Sequence, residues 1–175
     1  MIIVGNARIE SLKREYEELN VYFQKGDQLS FQISTNDLYK RVLLLAASSY
    51  FEAEITGMIT EYSRKHTKSD PMLLSFIQNK AIARQYHTFF DWKSSNANSF
   101  FGLFGDTAKA KANELLSDQE SLNAIKSFLE LGCERNKLVH LNFIEARVDK
   151  TFDEIYKQYI IACGFIEKLR QIFSE

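Results

Sequence analysis

The chain has 175 residues, of which 45% are hydrophobic and 26% are charged, as is usual for a globular domain with a sizeable core. Fourteen phenylalanines and eight tyrosines supply large core side chains, whereas one proline and seven glycines leave little turn chemistry. This balance favours long helices over many short strands. The net charge of −1 argues against a protein-wide basic field for nucleic acid, although a local patch could still serve.

The first two predicted helices take up the first third of the chain. Residues from about 6 to 26 form the first helix, with Asn6 as N-cap and Gly26 as its stop. Residues 27–34 are predicted to connect it to a long second helix over about 35–68. The central stretch of that second helix, RVLLLAASSYFEAEI, is apolar enough to lie in the middle of the core.

A third helix begins where Ser69 or Asp70 can cap it and Pro71 suits its first turn. It is predicted to run to about Trp92. Residues 93–106 then form a polar loop and an aromatic plug. Four side chains of the plug, Phe100, Phe101, Leu103 and Phe104, are interpreted as core filling rather than as a ligand site.

Two capping boxes predict where the last two helices begin, because a Ser or Thr and a Glu three residues later can cap each other's backbone N–H groups. They are Ser117 with Glu120, and Thr151 with Glu154. The first of these helices ends near His140 and the second runs to the end of the chain. With a short helix over 106–116, the pattern predicts one all-α domain over 1–175, a bundle of about five main helices.

The two cysteines, Cys133 and Cys163, lie in apolar helical stretches, where buried thiols in a reducing compartment are expected. The opening MIIVGNARIE has too short an apolar run for a signal peptide, and no run approaches the length that spans a bilayer. We therefore expect a soluble, cytoplasmic protein that does not contact a membrane.

The helix over about 118–141 carries three polar residues away from the centre of its solvent-facing arc. At about 100° per residue, that arc holds Lys126, Glu130, Glu134 and Lys137. Arg135 falls nearly opposite, among apolar residues. Asn136 also lies on an apolar side, and His140 follows it by four residues at the edge of the arc. Because an unpaired buried charge is costly, Arg135 needs a partner or a partly wet crevice.

Geometry alone favours a structural role, in which Arg135 pairs with a buried carboxylate and His140 stabilises the helix C-terminus. Glu52 lies on a face of the second helix that should be mostly buried. Two roles stay open for it: it could hold Arg135, or it could form a plain ion pair, for example with Arg41. Glu54, two residues further along the chain, is expected to be solvated.

The other histidines stand alone in the sequence. His66 lies at a helix end and is expected to be solvated, and His87 is expected to pack in the core or at a surface edge. Neither has a companion at metal-ligand or triad spacing, and no glycine-rich nucleotide motif occurs in the chain. No cofactor and no metal are therefore expected.

The segment RNKLVH, which contains Arg135, Asn136 and His140, resembles the R-x4–6-H hallmark of HEPN domains, in which a polar residue often follows the arginine. Two more stretches, RVLLLAASSYFEAEITGMITEY and SSNANSFFGLFG, are similar in order and spacing to the RiboL-PSP-HEPN branch. The resemblance covers most of residues 38–170. It departs from the family pattern at Leu141, where many relatives have glycine.

The resemblance implies a metal-independent endoribonuclease that acts as a homodimer, with one motif from each subunit facing a shared cleft. His140 would move protons, Arg135 would bind the phosphate, Asn136 would orient the imidazole or bind the phosphate, and Glu52 would support Arg135. It also implies a toxin or antiviral-defence setting, with an antitoxin or defence-system partner. A noncatalytic module that binds RNA or protein, and a helical scaffold without a site, remain alternatives.

Overall fold

The computed structural model describes residues 6–140 and 147–174. These residues form eight α-helices and one π-helical turn, with no β-strand among them, so the predicted all-α class is confirmed. The α-helices are α1 Ala7–Lys25, α2 Leu29–His66, α3 Pro71–Ile77, α4 Tyr86–Phe89, α5 Asn98–Gly102, α6 Asp106–Leu115, α7 Gln119–His140 and α8 Phe152–Ser174. Five of these have ten residues or more, but only α1, α2, α7 and α8 correspond to predicted main helices, because α6 was predicted as a short helix and the predicted third main helix is divided.

The core lies where α2, α7 and α8 pack together, and α1 packs against α2. Phe51 of α2, Phe128 of α7 and Tyr159 of α8 are almost fully buried there. The ring centroid of Phe51 lies 5.4 Å from that of Phe128 and 5.7 Å from that of Tyr159. Because full burial of a side chain the size of phenylalanine contributes about 1.5–3 kcal/mol, this cluster fixes the relative positions of the three long helices.

The aromatic plug is mostly core, as predicted. Phe100 and Phe101 of α5 are buried, and the Phe100 ring stacks on Phe90 with centroids 4.8 Å apart. Phe104 is half-buried against the same cluster. The prediction is wrong for Leu103, which is 59% exposed because it lies just after α5, where the chain turns away from the core.

Local capping bonds set three helix starts, those of α1, α3 and α8, where the sequence placed them. The Asn6 side chain accepts the Arg8 N–H at the start of α1, and the Asp70 side chain accepts the Leu73 N–H at the start of α3. Thr151 and Glu154 form the predicted reciprocal capping box, with donor–acceptor distances of 2.7 and 3.2 Å. These predictions are confirmed.

Two predicted boundaries are wrong. Asp118, not Ser117, caps α7, because its carboxylate accepts both the N–H of Ser121 at 2.9 Å and its hydroxyl at 2.6 Å. The predicted connection over 27–34 is also too long. Asp27 has a φ of +51°, which reverses the chain within residues 26–28, and α2 already begins at Leu29.

The segment predicted as one helix up to Trp92 is broken. After α3 the chain forms a π-helical turn, Gln78–Ile82, and then a tight turn in which the Gln85 N–H donates to the Ile82 carbonyl at 3.1 Å. No residue of α3 is buried, whereas Tyr86, Phe89 and Phe90 are. The turn redirects the chain so that these aromatic side chains reach the core, which a straight helix would not allow.

The sequence analysis expects no apolar run long enough to span a bilayer, but helix α2 meets that criterion by length and composition. Within the described residues it alone is long and apolar enough, with an 18-residue window of mean hydropathy 1.3. In that window 39% of the residues are buried inside the bundle, and the core helix of a soluble protein passes the same test of length and composition.

Of the two cysteines, Cys163 is buried as predicted, but Cys133 is only half-buried.

Candidate functional site

The C-terminal half of α7 carries the three residues that the sequence predicts as the site. Arg135 and Asn136 are half-buried and His140, the last residue of the helix, is exposed. The Arg135 Nη1 donates a hydrogen bond to the Asn136 Oδ1 at 3.1 Å. Since α7 advances by about 3.6 residues per turn, Arg135, Asn136 and His140 lie within about one and a half turns of each other.

Arg135 and His140 open onto a cavity of about 330 Å³, here named the α7 cleft. Its lining residues are Glu52 of α2, Arg84, Tyr86 and His87 of the segment after the π-helical turn, and Arg135 and His140 of α7. Asn136 lines a smaller, adjoining pocket, together with Arg135 and the buried Ser48. The fold therefore brings three of the four predicted site residues to one cleft and places the fourth beside it.

Glu52 faces the same cleft as Arg135, yet no salt bridge joins the two side chains. The Nη2 of Arg41, the other proposed partner of Glu52, lies 2.7 Å from the Oδ2 of Asp37. The expectation that Glu54 is solvated is wrong, because the Arg170 guanidinium of α8 binds its half-buried carboxylate.

Tyr86 forms the buried wall of the cleft between Glu52 and Arg135. Burial raises the pKa of its phenol far above the ordinary value, the carboxylate of Glu52 raises it further, and the cation of Arg135 lowers it in part. The phenol therefore keeps its proton at neutral pH and can act as a hydrogen-bond donor, but it cannot act as a general base.

The sequence did not identify three members of the cleft, Arg84, Tyr86 and His87. His87 was expected to pack in the core or at a surface edge, and it is an exposed residue that lines the cleft with Arg135 and His140. Arg84 has a φ of +61°, a backbone region that costs non-glycine residues about 1–2 kcal/mol. No spacing rule relates residues 84–87 to residues 135–140, so only the tertiary structure reveals this cluster.

Trp92 fixes the segment of Arg84 and His87 against α7. Its indole Nε1 donates to the His87 carbonyl at 2.9 Å, and its ring rests on Gly132, where an added Cβ would lie 2.0 Å from Cζ3. Gly132 is three residues before Arg135 on α7, about one helical turn. Only glycine at position 132 leaves room for this contact, and the contact holds α4 beside the predicted site.

Two further cavities lie away from the α7 cleft. One, of about 340 Å³, is lined mainly by aromatic side chains and includes His66, which is exposed as predicted and stacks on Tyr62 at 4.0 Å between ring centroids. The other, of about 490 Å³, includes Cys133 and a mixture of lysine and glutamate side chains. Within residues 6–140 and 147–174, no three His, Cys, Asp or Glu side chains come together as a metal site.

A family model described as RiboL-PSP-HEPN matches residues 10–175 of this chain. The match includes all the residues of the α7 cleft and extends beyond the stretch over which the sequence motifs resemble that family. Leu141, the predicted departure from the family pattern, lies outside the described residues. Comparison with curated proteins gave no match, and neither did comparison with solved structures.

Proposed function

The chain belongs to the RiboL-PSP-HEPN family, which suggests a ribonuclease or an RNA-binding module, and we propose that it is a metal-independent endoribonuclease. The observation that carries this proposal is the presence of Arg135 and His140 at one cleft, where the Arg135 guanidinium has no carboxylate partner among the described residues. A guanidinium available for an anion and an exposed imidazole are the groups that RNA transesterification needs.

The proposed chemistry uses the nucleophile that RNA itself carries. A base removes the proton of the 2′-hydroxyl, the 2′-oxygen attacks the adjacent phosphorus, and the bond from phosphorus to the 5′-oxygen breaks as that oxygen receives a proton. His140 transfers protons and Arg135 binds the phosphate oxygens as negative charge builds on them. Asn136, hydrogen-bonded to Arg135, orients that guanidinium. The products are a 2′,3′-cyclic phosphate and a 5′-hydroxyl.

The reaction has two proton transfers, and we propose that a homodimer supplies the groups for both. One motif offers a single histidine, so a second copy of the chain facing the cleft would add the matching acid or base. Val139 supports such an assembly, because this apolar residue between Arg135 and His140 is 50% exposed. The carboxylate of Glu52 would offset part of the positive charge of Arg135 in the cleft.

The biological setting is proposed from the family alone. An enzyme of this kind would act on cytoplasmic RNA as a toxin or an antiviral-defence effector, restrained by an antitoxin or a defence-system partner.

The test is His140→Ala, with His66→Ala as the matched control, since His66 is also an exposed histidine at the end of a helix. His140→Ala should lower cleavage of a labelled single-stranded RNA by about 10²–10⁴-fold, while His66→Ala should cut at the wild-type rate. Because His140 and His66 are both exposed, both variants should show the thermal unfolding transition of a folded protein and give a dimer mass by light scattering.

Three results would contradict the proposal in different ways. A folded His140→Ala protein that cuts RNA at the wild-type rate would make His140 a simple helix-end residue. A wild type that binds RNA or a partner protein but cuts nothing would favour the noncatalytic module instead. A protein that is only monomeric at micromolar concentration would remove the shared cleft.

A further inference from the structure

The α7 cleft contains a second guanidinium, that of Arg84, in addition to Arg135. Within residues 6–140 and 147–174, neither of these arginines forms a salt bridge, whereas Arg64 pairs with Glu61 and Arg170 pairs with Glu54. Glu52 is the one carboxylate among the lining residues that the structure describes, so it cannot neutralise both cations. The described lining of the cleft therefore has a net positive charge in a chain whose net charge is −1.

The backbone of Arg84 is held in a conformation that a side chain disfavours. Ala83 has φ −60° and ψ 121°, Arg84 has φ +61°, and the Gln85 N–H closes the turn onto the Ile82 carbonyl. This is the geometry of a type II turn, in which glycine or asparagine is favoured at the position that Arg84 occupies. Such an outlier at a cleft points to a functional reason for the arginine.

His87 lies three residues after Arg84 and lines the same cavity. Its carbonyl is held by the Trp92 indole, and Trp92 is wedged against Gly132 of α7. Tyr86, between Arg84 and His87, is buried in the wall of the cleft. These contacts fix the position of the 84–87 segment relative to Arg135, so the two cation-bearing segments face one cavity as a built arrangement.

From these observations we propose that Arg84 and His87 form a second phosphate subsite, which binds the phosphodiester next to the scissile one in a single RNA strand. This inference rests on the proposed ribonuclease function. Phosphate is the ligand because a guanidinium donates in a fork that fits its oxygens, and the imidazole adds another donor. A polymer with a phosphate at every nucleotide can occupy both cation-bearing segments at once, and a free mononucleotide cannot.

The experiment measures binding separately from cleavage. The probe is a single-stranded RNA with 2′-O-methyl riboses, which binds but cannot supply the nucleophile. Arg84→Gly removes the guanidinium and keeps the turn, because glycine adopts a positive φ without steric cost. Lys80→Gln is the matched control, since it removes one exposed cation from the preceding π-helical turn, four residues before Arg84, and Lys80 does not line the cleft.

Arg84→Gly should raise the Kd for the probe about tenfold or more. It should also lower the slope of log K against log salt by about 0.7, because the protein then neutralises one phosphate fewer on the single strand. His87→Gln should have a smaller effect in the same direction. Lys80→Gln should match the wild type. A neutral methylphosphonate at the linkage beside the scissile one should weaken the wild type but should not weaken Arg84→Gly further.

The outcomes separate this subsite from the enzyme proposal. If the wild type cuts RNA and Arg84→Gly binds the probe with the wild-type Kd and salt slope, the subsite is wrong and the ribonuclease stands. If the wild type cuts nothing, yet Arg84→Gly loses affinity and slope, the subsite stands as part of a binding module. A wild type that neither binds nor cuts RNA overturns both.

Discussion

Glu52 and Glu54 lie two residues apart on α2 and have opposite surroundings. Glu54 binds Arg170 of α8, which also binds Glu167. Burial alone would lower the pKa of Arg170, but hydrogen bonds with Glu54 and Tyr50 raise it above its ordinary value. Glu52 borders the α7 cleft and forms no salt bridge with a described residue there.

This difference separates a region whose charges pair within the chain from the region where we propose that RNA binds. On the α8 side, the charges satisfy each other within the chain, so they contribute to stability and leave nothing to bind. At the α7 cleft the cations Arg84 and Arg135 have no carboxylate partner among the described residues, although Arg135 donates to the amide oxygen of Asn136, so an anion from outside can complete their hydrogen bonds. The following predictions test whether stability and function separate in this way.

The largest effect is expected from a comparison of Arg135→Ala with Arg170→Ala. Arg135→Ala should lower RNA cleavage by about 10²–10³-fold, because it removes the donor that stabilises charge on the phosphate. It should change the free energy of unfolding little, since its hydrogen bond to Asn136 is local. Arg170→Ala should cut normally and lose about 1 kcal/mol, a modest value because its side chain is 39% exposed.

Cleavage rates and urea unfolding of the two proteins give both quantities. The proposed separation of stability at α8 from function at the α7 cleft would be wrong if Arg170→Ala lost activity while remaining folded. It would also be wrong if Arg135→Ala were the less stable protein and cut RNA at the wild-type rate.

A second comparison uses two glycines. Gly132→Ala should destabilise the protein by about 1–3 kcal/mol, because its Cβ would lie 2.0 Å from the Trp92 ring, and it should weaken RNA binding by displacing the segment of Arg84 and His87. Gly57→Ala is the control: its Cβ meets no described atom within 4 Å, so helix propensity should stabilise α2 by up to about 1 kcal/mol. Thermal melts and RNA affinity check both. A Gly132→Ala protein as stable as the wild type would show that Trp92 does not hold α4 in place.

A smaller effect concerns the other end of α7, away from the cleft. Hydrogen bonds from the hydroxyl and the N–H of Ser121 lower the pKa of Asp118. A lowered pKa in the folded protein means that Asp118 stabilises it above the ordinary pKa of about 3.9, and that this contribution is lost as pH falls through the lowered value. Asp118→Asn keeps a capping group that does not titrate, so its melting temperature should fall less than that of the wild type between about pH 4.5 and about pH 2. Equal pH dependence in both proteins would remove Asp118 from this role.

The last prediction is an absence of change. If the side chains of the α7 cleft carry the proton transfers and the phosphate binding, excess EDTA should leave the cleavage rate unaltered. The measurement is the rate with and without chelator on the same purified protein. Activity that chelator abolishes and Mg²⁺ or Mn²⁺ restores would replace the proposed mechanism by a metal-assisted one.

The sequence predicted features that depend on residues within one helical turn of each other. Asn6, Asp70 and the Thr151–Glu154 box were recognisable because a cap bonds a backbone N–H two or three residues away. Their spacing of four on α7 predicted a shared direction for Asn136 and His140, and the structure places them at two adjoining pockets. The family motif rests on the same short spacing. The Asp118 cap was missed because the neighbouring Ser117 and Asp118 could both serve, and spacing alone does not choose between them.

Only the tertiary structure decided which distant segments meet at the cleft. The turn at residues 82–85 follows from the burial of Tyr86 and its aromatic neighbours, and it brings Arg84 and His87 to the side of α7. The contact between Trp92 and Gly132, forty residues apart in the sequence, depends on how two surfaces fit. The pairing of Glu54 and not Glu52 likewise depends on where α8 packs. Local hydrogen bonds and helical periodicity are encoded in neighbouring residues, whereas packing between segments is settled by the shape of the whole core.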